Sequence, residues 1–199
     1  ERQLHRVLPL ISMRNYVAVG IRGNKRAKQG WDWSCESSSQ LIDLEQLVQD
    51  AVDSARGRMN VNPQRIFLAG YQAGGALAIR LAMRRPAAYA GAMSAGSLQF
   101  PGPQMMGNLD QLRDLPLLIC QGQQGSEAQT DDLCDRLRLF HAANMKVMLR
   151  LYPCDNELTT RMLSDMNEWV MEHVTGVRSR ELHESLPATH SRCPSVGLN

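Results

Sequence analysis

The sequence predicts an α/β domain: a three-layer αβα sandwich on a doubly wound, mostly parallel sheet. Two observations carry this. Short apolar runs recur along the 199 residues, at 16–23, 65–70, 89–96, 115–122 and 146–153. Longer stretches with apolar residues every three to four positions, the period of an amphipathic helix, separate most of them. Runs that are apolar on both faces suit strands of a parallel sheet covered on both sides. Alternation with helices calls for right-handed crossovers.

Residues 4–13 (LHRVLPLISM) read as a short helix and its exit, and 16–23 (YVAVGIRG) as a buried strand ending in a glycine turn. The polar segment 24–37, with Trp31 and Trp33, reads as a long loop over the sheet edge. Arg22, Lys25, Arg26 and Lys28 form a short, solvated basic cluster. From Ser38 the spacing of Leu41, Leu44, Leu47, Val48, Ala51, Val52 and Ala55 is helical, with Ser38 or Ser39 as the cap. Asn62-Pro63 breaks the chain before the strand at 65–70, and the helix at 73–85 stops before Pro86. A strand of small residues follows at 89–96. Pro101 and Pro103 mark a loop, with Met105 and Met106 read as core filling. A strand at 115–122, a helix at 131–143, a strand at 146–153 and a helix at 159–174 complete the pattern. In the last helix Leu163, Met166, Trp169 and Val170 face inward. Residues 1–176 thus form one domain, and 177–199, polar with two prolines, a loosely docked tail.

Composition bounds the function. The chain is 43% hydrophobic and 21% charged, ordinary for a globular domain with a sizeable core. A net charge of +2 gives no argument for nucleic acid as partner. No apolar run reaches the roughly 18 residues of a membrane span. The five cysteines are scattered, with no C-x-x-C pair, which argues against a zinc site and weakly favours a reducing, cytoplasmic setting. Neither a P-loop nor G-x-G-x-x-G occurs, so no cofactor and no metal is expected. Ligands of such sheets bind beyond the carboxyl ends of the strands. Gln72, the residues after Gly122 and those after Tyr152 all fall there.

Between the strand at 65–70 and its helix stands Gly70-Tyr71-Gln72-Ala73-Gly74, the frame of G-x-S-x-G with glutamine in place of serine. It lies within VNPQRIFLAGYQAGGALAIRLAMRRPAAYAGAMSAGS, followed by LPLLICQGQQGSEAQTDDLCDRL and KVMLRLYPCDNELTTRMLSDMNEWVMEHV. With these, residues 4–174 resemble the α/β-hydrolase superfamily, and most of all the phospholipase/carboxylesterase and polyhydroxybutyrate-depolymerase-like esterases. The resemblance implies a serine on the strained turn, a histidine after the last strand, a carboxylate after the preceding one, and an oxyanion donor from the backbone after the nucleophile.

Aligned on those motifs, the nucleophile position is Gln72, whose amide has no acidic proton near neutrality and a delocalised nitrogen lone pair. Ala73 follows it and still offers its N–H. The acid position in Gly122-Gln123-Gln124-Gly125 is Gly125; Glu127, Asp131 and Asp132 nearby read as loop and helix N-terminal acids. The base position in Tyr152-Pro153-Cys154-Asp155-Asn156-Glu157-Leu158 is Asn156, or Asp155 if the loop is offset by one. No histidine lies between His141 and His173, which read as helical surface residues; His183 and His190 fall in the tail. Cys154 has no base that can be named and reads as an incidental thiol. The resemblance also implies a central strand ahead of residue 1, between the strands at 16–21 and 65–69, in a segment upstream of Glu1.

The expectation is a hydrolase-fold pseudoenzyme that binds a small-molecule ligand in the cleft near Gln72 or a protein partner. The alternative is a carboxylesterase/phospholipase-like hydrolase with non-standard catalytic residues, drawing its histidine from the tail or from upstream. A third reading is a structural subunit of a larger assembly.

Overall fold

The computed structural model describes residues 2–11, 16–28, 30–35, 37–97, 109–124, 127–155 and 157–176. Helices α1 (Arg2–Ile11), α2 (Ser38–Arg56), α3 (Ala73–Arg84), α4 (Leu109–Asp114), α5 (Glu127–Ala142) and α6 (Thr160–Thr175) surround strands β3 (Phe67–Tyr71), β4 (Gly91–Ala95), β5 (Leu117–Gly122) and β6 (Val147–Tyr152). These four strands form one parallel sheet in the order β3-β4-β5-β6. The register runs Phe67 beside Gly91, Ala92 beside Leu117 and Leu117 beside Val147. A separate antiparallel pair, β1 (Lys25–Ala27) and β2 (Gly30–Asp32), has every residue exposed to solvent.

The faces of the sheet follow the alternation of its side chains. Ala92, Leu117 and Ile119 meet Ile79, Ala82 and Met83 of α3 and Leu133, Leu137 and Phe140 of α5. On the other face Met93, Ala95, Leu118, Cys120 and Tyr152 meet Met162, Leu163, Met166, Trp169 and Val170 of α6. Val7 and Ile11 of α1 pack on that second face. Leu41, Leu44 and Val48 of α2 pack beside α3 through Leu77 and Leu81. The four inward residues expected in the last helix are all buried, and Met162 joins them.

Caps explain where the helices start. Ser37 accepts from Gln40 N–H while the Gln40 side chain returns to Ser37 N–H, a capping box that places the start of α2 one residue before the expected caps. Thr159 caps α6 through Met162 N–H at 3.2 Å, and Gly176 closes that helix in the left-handed conformation.

Three expectations are corrected. Residues 16–23 are not a strand, although exposure alternates along 16–20 with a strand's period; among the described residues no strand ladders with them. The long loop at 24–37 contains the β1–β2 pair, where Arg22 stacks 4.4 Å over the half-exposed Trp31 ring and Asn24 bonds both ways with Ser34. Helix α5 begins at Glu127, four residues before the expected 131, and α4 was not foreseen; its six residues carry one buried side chain, Leu112, too few for a period to show. Residues 101–108, with Pro101, Pro103, Met105 and Met106, and the tail at 177–199 lie outside the described residues.

Tyr152 donates to Asp165 Oδ2 at 2.6 Å, and Arg150 pairs with Asp165 at 3.3 Å. Cys120, fully buried, lies 3.7 Å from the Tyr152 hydroxyl, and burial pushes its thiol up to about 11. Burial, then the bond to Asp165, pushes the Tyr152 phenol up as well. Both groups hold their protons to higher pH folded than unfolded. The Cys120 contribution is therefore complete below about pH 9 and is lost as pH rises toward about 11; that of Tyr152 begins to fall only at higher pH, above the ordinary phenol value. Urea midpoints measured at about pH 8 and at about pH 10.5 should fall between the two, and less so in Cys120→Ala.

Candidate functional site

The sharp turn between β3 and α3 is built by its glycines. A Cβ on Gly70 would collide with the Gly74 backbone and lie 2.5 Å from Gly75 N. A Cβ on Gly75 would meet Ser94 Oγ and come within 3.0 Å of Gly70 O. A Cβ on Gly74 would press on Trp33 Nε1 at 3.2 Å. Trp33, half-buried, therefore covers the start of α3.

Gln72 sits at the apex with φ 49° and ψ −121°, a conformation that favours glycine. Its N–H donates to Ala95 O at 2.8 Å, tying the turn to the end of β4, and its carbonyl accepts from Ala76 N at 3.1 Å. The side chain is exposed, and Nε2 donates to the Tyr71 hydroxyl at 3.1 Å. Ala73 is the first residue of α3. Gln72→Gly removes the strain and keeps both backbone bonds. It should stabilise the fold by about 1 kcal/mol, read as a higher urea midpoint at unchanged slope.

The loops after β5 and β6 come together at the same end of the sheet. Gln123 N–H bonds Tyr152 O at 2.8 Å and Gln124 N–H bonds Cys154 O at 3.1 Å. A Cβ on Gly122 would strike the carbonyls of Asp155 and Cys154. Burial raises the Tyr71 phenol; the Gln72 bond lowers it, and the fields of Glu157 and Cys154 raise it. Tyr71, Gln72, Cys154 and Glu157 thus share one neighbourhood, and the expected meeting of the three strand ends is found. Tyr71 and Glu157 were not singled out in the sequence. The strand-end place of Tyr71, next to the turn, was the available signal.

Gly125 and Asn156 lie outside the described residues. Asp155, the alternative at the base position, places its carbonyl beneath Gly122. Glu127 opens α5, with Asp131 and Asp132 a turn further on. Among the described residues the histidines are His5 on α1, His141 near the end of α5, and His173 near the end of α6, whose Nδ1 lies 2.7 Å from Trp169 O. Among the described residues no group of three or more His, Cys, Asp or Glu is placed to hold a metal ion, and no helix is long and apolar enough to cross a membrane.

The phospholipase/carboxylesterase family profile matches residues 19–174. The chain belongs to the phospholipase/carboxylesterase family. Solved structures with the same fold include the Bacillus cereus carboxylesterase, 18% identical, with 87% of this chain and 82% of that one covered and a TM-score of 0.62. The Mesorhizobium loti carboxylesterase is 16% identical over 75% of this chain and 72% of that one, with a TM-score of 0.60. Arabidopsis thaliana SOBER1 is 17% identical over 71% and 68%, with a TM-score of 0.54. At these identities the likeness is one of fold. No curated protein matches the sequence. The turn with its glycines, between β3 and α3, lies inside the stretch that matches the phospholipase/carboxylesterase family.

Proposed function

We propose that this chain is a hydrolase-fold pseudoenzyme: a binding domain that keeps the cleft of its family without acyl transfer. The supporting observation is the amide of Gln72 at the apex of the turn, bonded to a phenol rather than to a base. Gly125 at the acid position and Asn156 at the base position extend the same reading. The ligand is a small molecule with a carbonyl or amide group. It is held near the Gln72 amide, the Tyr71 hydroxyl and the Ala73 N–H, with Cys154 on the neighbouring loop.

Short-chain p-nitrophenyl esters test this. The purified chain should turn them over no faster than a Gln72→Ala variant; fast turnover abolished by that change would overturn the proposal. Gln72→Ser alone should also leave turnover at background, because a serine without base and acid keeps its proton. A gain to ordinary esterase rates would show that a base stands at the turn.

The intact turn and the family membership support a second reading, a carboxylesterase-class hydrolase with non-standard catalytic residues. Truncation after Gly176 separates the two. Activity that vanishes with the tail would assign the base to His183 or His190.

A further inference from the structure

Strand β6 pairs with β5, and among the described residues no strand lies on its other side. Leu117 N–H donates to Lys146 O and Gln123 N–H to Tyr152 O, both at 2.8 Å. The even-numbered residues of β6 thus turn their backbone groups toward β5. Val147, Leu149 and Leu151, one step out of phase, turn theirs outward. Of these groups, Val147 N–H turns back to Met145 O at 3.1 Å. Open edges are ordinarily guarded by lysines, prolines or shortness. The β1–β2 pair is guarded so, with three residues per strand and Lys25, Arg26 and Lys28 exposed. The edge of β6 is six residues long, VMLRLY, with neither proline nor lysine. Its single charge, Arg150, is drawn inward to Asp165 on α6. Met148 and Leu151 stand in solvent, 40% and 43% exposed.

We propose that this edge joins a second copy of the chain, two β6 strands pairing antiparallel about a two-fold axis so that one sheet runs through both. The edge is self-complementary in one register. Bonded and non-bonded pairs alternate along an antiparallel ladder, so the axis must set one residue opposite its own copy. With Leu149 on the axis, Leu149 N–H meets the second copy's Leu149 C=O, and Leu151 N–H meets the second copy's Val147 C=O, each twice by symmetry. These are the groups that point outward. Leu149 then packs on its copy and Leu151 on Val147, all on the face where Val147 and Leu149 join the core under α3 and α5. On the other face Met148 lies against the apolar stem of Arg150, whose charge is held by Asp165. An axis on Arg150 would set two guanidinium groups face to face and Val147 opposite Pro153, which has no N–H. An axis on Met148 would set Leu151 opposite Met145, outside the strand and with its carbonyl already engaged. A foreign strand would require no such symmetry of the edge. A two-fold contact also closes on itself, so the unguarded edge ends in a dimer rather than a fibre.

Light scattering after gel filtration, with amide hydrogen exchange, tests this on the 199-residue chain. As concentration rises, the mass should climb from 22.2 kDa to about twice that. Protection at the Leu149 and Leu151 amides should rise with it by about tenfold or more. Leu151→Lys, a change at an exposed position, should raise the dissociation constant by about tenfold or more. Met148 reads the register. Met148→Glu, facing Arg150 of the second copy, should keep the dimer, whereas Met148→Lys should weaken it by about tenfold or more. A monomer at every concentration would overturn the proposal. So would a dimer that Leu151→Lys leaves intact, or one that responds alike to both changes at Met148. Protection of the Leu149 and Leu151 amides in a monomer, lost on truncation after Gly176, would assign the edge to residues 177–199 and overturn it too.

Discussion

Gly70→Ala should be the most damaging single methyl group that can be added to this chain. The residue is at a negative φ that alanine tolerates, so the cost is purely steric: the new Cβ would overlap the backbone carbonyl of Gly74. Backbone on both sides cannot step aside as a side chain can. Either β3 leaves its register with β4, or α3 lifts from the sheet and loosens Ile79, Leu81 and Ala82, all essentially buried. We expect a loss above about 3 kcal/mol, read as a large drop in urea midpoint or as failure to accumulate folded protein. Gly30→Ala is the control with the opposite cause. Nothing lies within 4 Å of its new Cβ, but φ is +110°, and the expected loss is about 1 kcal/mol. Similar losses at the two positions would show that the turn yields more easily than its contacts imply.

Trp169→Ala should rank beside it. The indole is 1% exposed at the centre of the α6 face. It meets Phe67 edge-on at 5.9 Å between ring centres and lies tilted by 44° against the His173 ring at 4.3 Å. Its Cη2 approaches Gly91 so closely that a Cβ there would lie at 2.7 Å, which leaves no slack around the ring. Removing it empties a site bounded by the sheet on one side and α6 on the other, and neither can collapse inward without breaking strand register. The expected loss is about 3–5 kcal/mol, and Trp169→Phe should recover a good part of it. An urea midpoint within experimental error of the parent would contradict this.

The parts of the fold that showed in the sequence are those whose pattern comes from burial on both faces. LPLLICQG is apolar without alternation because helices cover both sides of β5, and the spacing of Leu163, Met166, Trp169 and Val170 is the buried stripe of α6. The site was legible at the turn because Gly70 and Gly75 are held by contact with backbone and with Ser94, constraints that leave glycine in the text. What stayed hidden depends on partners distant in sequence. Residues 16–23 have a strand's composition, but among the described residues no strand pairs with them. The β1–β2 pair has no buried face, so nothing in its pattern separates it from a loop. Tyr71 gains its place in the site from Gln72 beside it and from the loop that holds Cys154 and Glu157, a meeting that only the folded sheet makes.

The bend at Gln72 is held by glycines and by bonds of its backbone to the carbonyl of Ala95 and to the first turn of α3, not by its side chain. Shape and reactivity are therefore separable at this point in the chain. A cysteine placed there would stand in solvent on a rigid mount, ready to carry a probe or a synthetic catalyst.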